Sequence, residues 1–96
     1  MASAKAPAGH FSILYFAAAS TFTSRSSEHL AAPVEARHLF NLLEERYPGM
    51  KEKVLNSCAV TVNLEYVDID GADAPDLALM IKEGDEVAII PPVSSG

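Results

Sequence analysis

The sequence predicts an α+β domain in which one main helix packs across a mixed β-sheet. Three observations predict it. A stripe of apolar residues at helical spacing fills the middle of the chain, segments alternating at period two stand near both ends, and 96 residues with 49% hydrophobic content fit a single core. The order strand, strand, helix, strand, short strand, strand brings that helix against the sheet.

The elements follow in chain order. Residues 1–9 show no periodic pattern and read as a loose, flexible N-terminus ahead of a domain spanning 10–90. Lys5 and the apolar run over 11–19 have the outline of a leader peptide. Phe11, Ile13 and Tyr15, however, fall on one side at period two, with Leu14 and Phe16 on the other, so a strand over 11–16, covered on both faces, is the better reading. Residues 20–27, rich in Ser and Thr, read as a loop, and a short strand over 28–31 pairs back on the first. Pro33 suits the first turn of a helix, where a missing N–H costs nothing. Ala36, Phe40, Leu43 and Tyr47 then recur at i, i+4, i+7 and i+11, widened by Leu39 and Leu42. Pro48-Gly49 stops that helix, and residues 50–55 add a further helical turn.

Cys58, Val60 and Val62 alternate with more polar neighbours as a strand with one core face. Asn63-Leu64-Glu65 turns the chain into a short strand over 66–69. Gly71 and Pro75 mark a turn over 70–76, and Gly84-Asp85 another. The last strand covers 86–90, and Pro91-Pro92 ends it because neither residue donates to a ladder. No internal repeat or low-complexity segment interrupts the pattern.

Composition narrows the function classes. Seven basic against thirteen acidic residues give a net charge of −6, the wrong sign for replacing counterions on nucleic acid. One cysteine cannot form an internal disulfide, and no apolar run approaches the roughly 20 residues that span a bilayer. A soluble, acidic, cytosolic domain is expected. The charge is concentrated in residues 49–96, where three bases face nine acids. That surplus is either a solvated surface or a field that steers a basic partner.

Side-chain chemistry offers little. His10, His29 and His38 share no metal-ligand spacing, so no metal site is expected. Cys58 lies in an apolar strand without a base beside it and reads as a small buried hydrophobe. The glycines are scattered, which leaves no phosphate-cradling loop. Glu44-Glu45 and Asp85-Glu86 are adjacent and diverge, which suits a solvated surface better than acid–base work.

The end of the chain is different. Pro91-Pro92 is stiff and extended, and the tail Pro91, Pro92, Val93, Ser94, Ser95, Gly96 reaches roughly 20 Å when stretched. Gly96 lacks a Cβ, so its carboxylate fits a narrow channel. Stiff base, small tip and terminal glycine suit delivery of a carboxylate into another protein's active site. The residues alone leave open the plainer alternative, a domain that simply ends in small polar residues.

Lys82-Glu83-Gly84-Asp85-Glu86-Val87-Ala88-Ile89-Ile90-Pro91-Pro92-Val93 closely resembles the end of the small, sulfur-carrier subunits of molybdopterin synthase. Val62-Asn63-Leu64-Glu65-Tyr66-Val67 and Ile13-Leu14-Tyr15-Phe16-Ala17 resemble two further signatures of that family, and the Tyr47-Pro48-Gly49 helix stop fits it. The resemblance covers residues 10–96 and implies a ubiquitin-like (β-grasp) fold. It also implies a function: Gly96 is adenylated with ATP and Mg²⁺ on an E1-like activating enzyme, converted to a thiocarboxylate by a persulfide, and inserted into the large catalytic subunit. There it gives sulfur to a cyclic pyranopterin monophosphate, building the dithiolene of molybdopterin. On that reading the chain is a sulfur donor within a hetero-oligomer, expected as a heterotetramer, and the catalytic side chains belong to the large subunit. Related carriers serve tRNA thiolation or protein conjugation but usually lack the double proline, and a ubiquitin-like module without a reactive end is a third reading.

One departure stands out. The family ends in Gly-Gly, whereas this chain ends Ser95-Gly96. A channel that grips the penultimate position tightly slows activation or transfer, a roomier one accepts the hydroxymethyl group, and an inactive relative has no need of either. For docking, period two turns Ala88 and Ile90 outward if Val87 and Ile89 face the core. An apolar patch beside the tail then awaits a partner, with Glu83, Asp85 and Glu86 meeting its basic groups.

Overall fold

The computed structural model describes residues 6–69 and 71–92. The first strand, β1 (His10–Tyr15), is an interior strand of a five-stranded sheet. It is followed by α1 (Ala17–Thr23), β2 (Ser27–Ala31), β3 (Val34–Glu35), the main helix α2 (Leu39–Arg46) and a single-turn α3 (Met50–Lys53). The chain then runs through β4 (Ala59–Val62), β5 (Glu65–Val67), β6 (Met80–Ile81) and β7 (Glu86–Ile90). The strand order is β2-β1-β7-β4-β5, with β1 and β7 parallel and the remaining pairs antiparallel, and β3 pairs with β6 in a separate two-stranded ribbon. Parallel neighbours require a long connection, and the intervening residues supply it with the helices.

Period-two patterning does the sorting. Phe11, Ile13 and Tyr15 of β1, Leu30 of β2, Val60 of β4, and Val87 and Ile89 of β7 are buried on one face of the sheet. Leu39 and Leu43 of α2, together with Met50, Val54 and Leu55, close over that face. The predicted stripe is therefore the seam between helix and sheet. Its member Ala36 is buried, while Phe40, Leu42 and Tyr47 are partly buried at its margins. Gly49 adopts φ +93°, a left-handed conformation that an L side chain resists, and this reverses the chain between α2 and α3. Glu44 is not merely solvated: its carboxylate accepts the Gly49 and Lys51 N–H groups, both at 2.9 Å, and caps α3. Those two donors hold its pKa below the usual carboxylate range.

Several expectations need correction. Part of the expected loop over 20–27 belongs to α1, because Ala17–Ala19 favour helix, Phe22 packs against the core, and the Thr23 hydroxyl donates to the Ala19 carbonyl at 3.0 Å. Pro33 does not open the helix. It precedes β3, and a 3₁₀ turn over Ala36–His38 leads into α2. The β3–β6 ribbon was not foreseen. Residues 7–9 are tied down in part: the Pro7 carbonyl accepts the His10 N–H, and that of Gly9 accepts the Ala32 N–H. The expectation for residues 1–5 lies outside the described residues.

A polar cluster fastens the C-terminal end of α2 to the sheet. The Glu28 side chain, only 6% exposed, accepts the Tyr15 and Tyr47 hydroxyls, each at 2.6 Å, and an Arg46 guanidinium N–H at 2.8 Å. The two rings meet edge to face with centroids 6.2 Å apart. Burial opposes ionisation of Glu28, but three donors outweigh it and lower its pKa from the ordinary 4.5. Both tyrosine hydroxyls are pushed upward, first by burial and then by the carboxylate, and stay protonated donors. A depressed carboxylate pKa contributes stability above its unfolded-state value, and that contribution is lost as pH falls through the folded value. Glu28→Gln is therefore expected to cost about 2 kcal/mol at neutral pH, and to narrow the stability gap between pH 7 and acid. Urea unfolding midpoints of both proteins across that range check it.

Candidate functional site

The face of the sheet turned away from α2 is open. Strand register places Ser27, Leu14, Ala88, Thr61 and Tyr66 in one row across all five strands. Ile90 follows Ala88 at period two, and Phe16 continues the line of Leu14 just beyond β1. With Leu64 from the β4–β5 turn, these residues line a groove of about 260 Å³ that carries Glu86 at its margin. Phe16 is 46% exposed and Tyr66 74% exposed. Large apolar groups grouped in this way mark a surface that another protein covers.

The expected orientation of the last strand holds. Val87 and Ile89 are fully buried, whereas Ala88 and Ile90 lie on the groove side. Ala88 is itself mostly covered by its taller neighbours, so the relief of the groove comes from Phe16, Tyr66, Leu64 and Ile90. The expectation that both faces of the first strand are covered is overturned, because Leu14 and Phe16 face the groove. Phe16, Leu64 and Tyr66 are the large apolar site residues that sequence reasoning missed. Period two carried the signal for Phe16, but only the register shows that Tyr66 stands across Thr61 from Ala88.

Asp85 and Glu86 divide. The Asp85 carboxylate accepts the Lys82 N–H at 2.7 Å and the Asn63 side-chain amide at 3.0 Å, so it is engaged in holding the turn before β7. Glu86 borders the groove, and its backbone N–H donates to Asn63 Oδ1 at 2.9 Å. Beyond Ile90, Pro91 is buried and Pro92 exposed. Val93, Ser94, Ser95 and Gly96 lie outside the described residues.

Conventional catalytic groups do not assemble among the described residues. Among the described residues no three His, Cys, Asp or Glu side chains gather as a metal site. The Cys58 thiol donates to the Val54 carbonyl at 3.0 Å, and burial pushes its pKa up to about 11, so it is a thiol and not a thiolate at neutral pH. Among the described residues no helix is long and apolar enough to cross a membrane.

Comparison with known proteins gives this arrangement a family. The ThiS family model matches residues 13–96. The molybdopterin synthase sulfur carrier subunit of Pyrenophora tritici-repentis is 75% identical over 96 residues, covering 100% of both chains. Among solved structures, SAMP1 from Haloferax volcanii superposes with a TM-score of 0.71 at 20% identity, covering 92% of this chain and 100% of that one. The complex of subunits 1 and 2 of molybdopterin-converting factor from Helicobacter pylori gives a TM-score of 0.61 at 22% identity, with 91% and 99% covered. The chain belongs to the ThiS family, in the group of molybdopterin synthase sulfur carrier subunits. Its fold is the ubiquitin-like one that the resemblance implied.

Proposed function

We propose that this chain carries sulfur to molybdopterin synthase as a thiocarboxylate on Gly96. The observation that carries this reading is the family match, which runs through Gly96. A carboxylate is a poor electrophile, because its charge is delocalised and oxide is a poor leaving group. Adenylation by an activating enzyme, with ATP and Mg²⁺ held there, replaces oxide with AMP as the leaving group. The outer sulfur of a persulfide on the sulfur-donating protein then attacks the acyl carbon and expels AMP, giving an acyl disulfide. A second thiol of that donor attacks the donor-side sulfur, which becomes part of a protein disulfide. The S–S bond breaks to leave the thiocarboxylate, a soft, polarisable nucleophile, on Gly96. The large catalytic subunit receives the tail and supplies the side chains that direct this sulfur to a cyclic pyranopterin monophosphate.

The chain's own contribution is placement. Ile90 lies in the groove and Pro92 stands exposed just beyond it, so a partner seated on the groove is met by the outgoing chain. Residues 93–96 then reach at most about 14 Å. Holding the reacting carbon in line is worth up to about 7–11 kcal/mol of barrier. Asp85 and Glu86 are the acidic residues proposed to meet basic groups of the partner; Glu86 lines the groove, and the Asp85 carboxylate also holds the turn before β7.

Reconstitution tests the function directly. Thiocarboxylated chain, mixed with the large subunit and cyclic pyranopterin monophosphate, should yield the dithiolene product, and untreated chain should yield none. Equal product from both would contradict the proposal.

A further inference from the structure

The β4–β5 hairpin reverses through two residues, Asn63 and Leu64, between the paired residues Val62 and Glu65. Both are left-handed, with φ 51° and 73°. Two-residue hairpins of this type favour Asn followed by Gly, because both central positions need positive φ. Asparagine is at home in the first position. Leucine in the second is costly, since its Cβ crowds the backbone there and glycine would relieve the crowding. Its side chain is also 87% exposed, the most exposed large apolar group among the described residues. Backbone strain and solvent exposure thus fall on one residue, and neither serves the stability of the free chain.

The turn is held rigidly. The Asn63 N–H donates to the Glu86 carbonyl at 2.7 Å, its side-chain oxygen accepts the Glu86 N–H at 2.9 Å, and its amide donates to Asp85 at 3.0 Å. These bonds clamp the hairpin tip to the start of β7, the strand that leads into the tail. Leu64 therefore stands at a set height on the rim of the groove, at the end of β7 where that strand begins, with Ile90 at its other end.

We infer that Leu64 is a pre-organised anchor for the large subunit of the synthase, strained in the free chain and covered in the complex. The inference rests on the proposed function and deepens it by naming a determinant of partner affinity. The partner is chosen by continuity: the groove that Leu64 borders also contains Ile90, the residue directly before Pro91-Pro92 at the base of the tail that the large subunit is proposed to receive. An anchor whose conformation is fixed beforehand loses little freedom on binding.

The test exploits opposite signs. Leu64→Gly creates the favoured Asn-Gly turn, so the urea midpoint of the free chain should hold or rise, while affinity for the cognate large subunit, measured by titration calorimetry, should fall at least about tenfold. Leu64→Asn, which also tolerates positive φ, should weaken binding similarly, and Leu64→Met should restore most of it. Binding by the Gly and Asn variants within twofold of the parent chain would overturn the inference and leave the function standing. A parent chain that does not bind the large subunit at all would overturn both.

Discussion

Appending one alanine after Gly96 should abolish sulfur loading and transfer while leaving the fold intact. The added residue converts the glycyl carboxylate into a peptide bond and moves the free carboxyl group outward by about 3.3–3.6 Å. A displacement of even about 1 Å from reacting geometry can cost roughly a hundredfold, and here the carbon to be activated is also no longer an acid. Product formation with activating enzyme and large subunit should fall at least about a hundredfold, with the circular dichroism spectrum and urea midpoint unchanged. A chain that only docks would tolerate the extension, so retained activity would remove the proposed chemistry.

The second large effect is expected on the groove. Ile90→Asp places a charge on the open face, on a strand whose core residues, Val87 and Ile89, are untouched. Folding should survive, because Ile90 is not part of the buried cluster beneath α2. Binding to the large subunit should weaken at least about thirtyfold, the equivalent of about 2 kcal/mol lost at an interface hot spot. Titration calorimetry measures it, and an unchanged dissociation constant would place the docking surface elsewhere. Ser27→Asp, in the same cross-sheet row but outside the groove lining, provides a charge control expected to bind normally.

The two ends of the chain were the most legible part of the fold. Both central strands carry residues that alternate at period two, and the helix stripe between them is long enough for its period to show. Elements of two residues carry no period, which is why β3 and β6 escaped. The Ser/Thr-rich stretch disguised α1, whose helix depends on Phe22 reaching the core and on Thr23 bonding back to Ala19. The Glu28 cluster was invisible for another reason. Its partners lie 13 to 19 residues away, and only the β1–β2 register and the end of α2 bring them together.

The candidate site divides in the same way. Its proposed chemistry was legible because Gly84-Asp85-Glu86 and Pro91-Pro92 are contiguous signatures and the Gly96 carboxylate proposed to carry sulfur depends on no side-chain constellation. Its surface was only half legible. Ala88 and Ile90, like Phe16, could be placed by counting along one strand, but Leu64 and Tyr66 join them through pairings that no single segment encodes. Asp85 has a further role that no local segment encodes: its carboxylate accepts from the Asn63 amide, 22 residues away in sequence.

The intact mass of the chain after incubation with its activating enzyme, ATP, Mg²⁺ and a persulfide donor is the most direct test of the sulfur-carrier account. The account predicts a gain equal to the exchange of one oxygen for one sulfur, located on Gly96 by fragmentation and absent without ATP. An unchanged mass beside an enzyme that loads another carrier, or a sulfur located on Cys58, would contradict it.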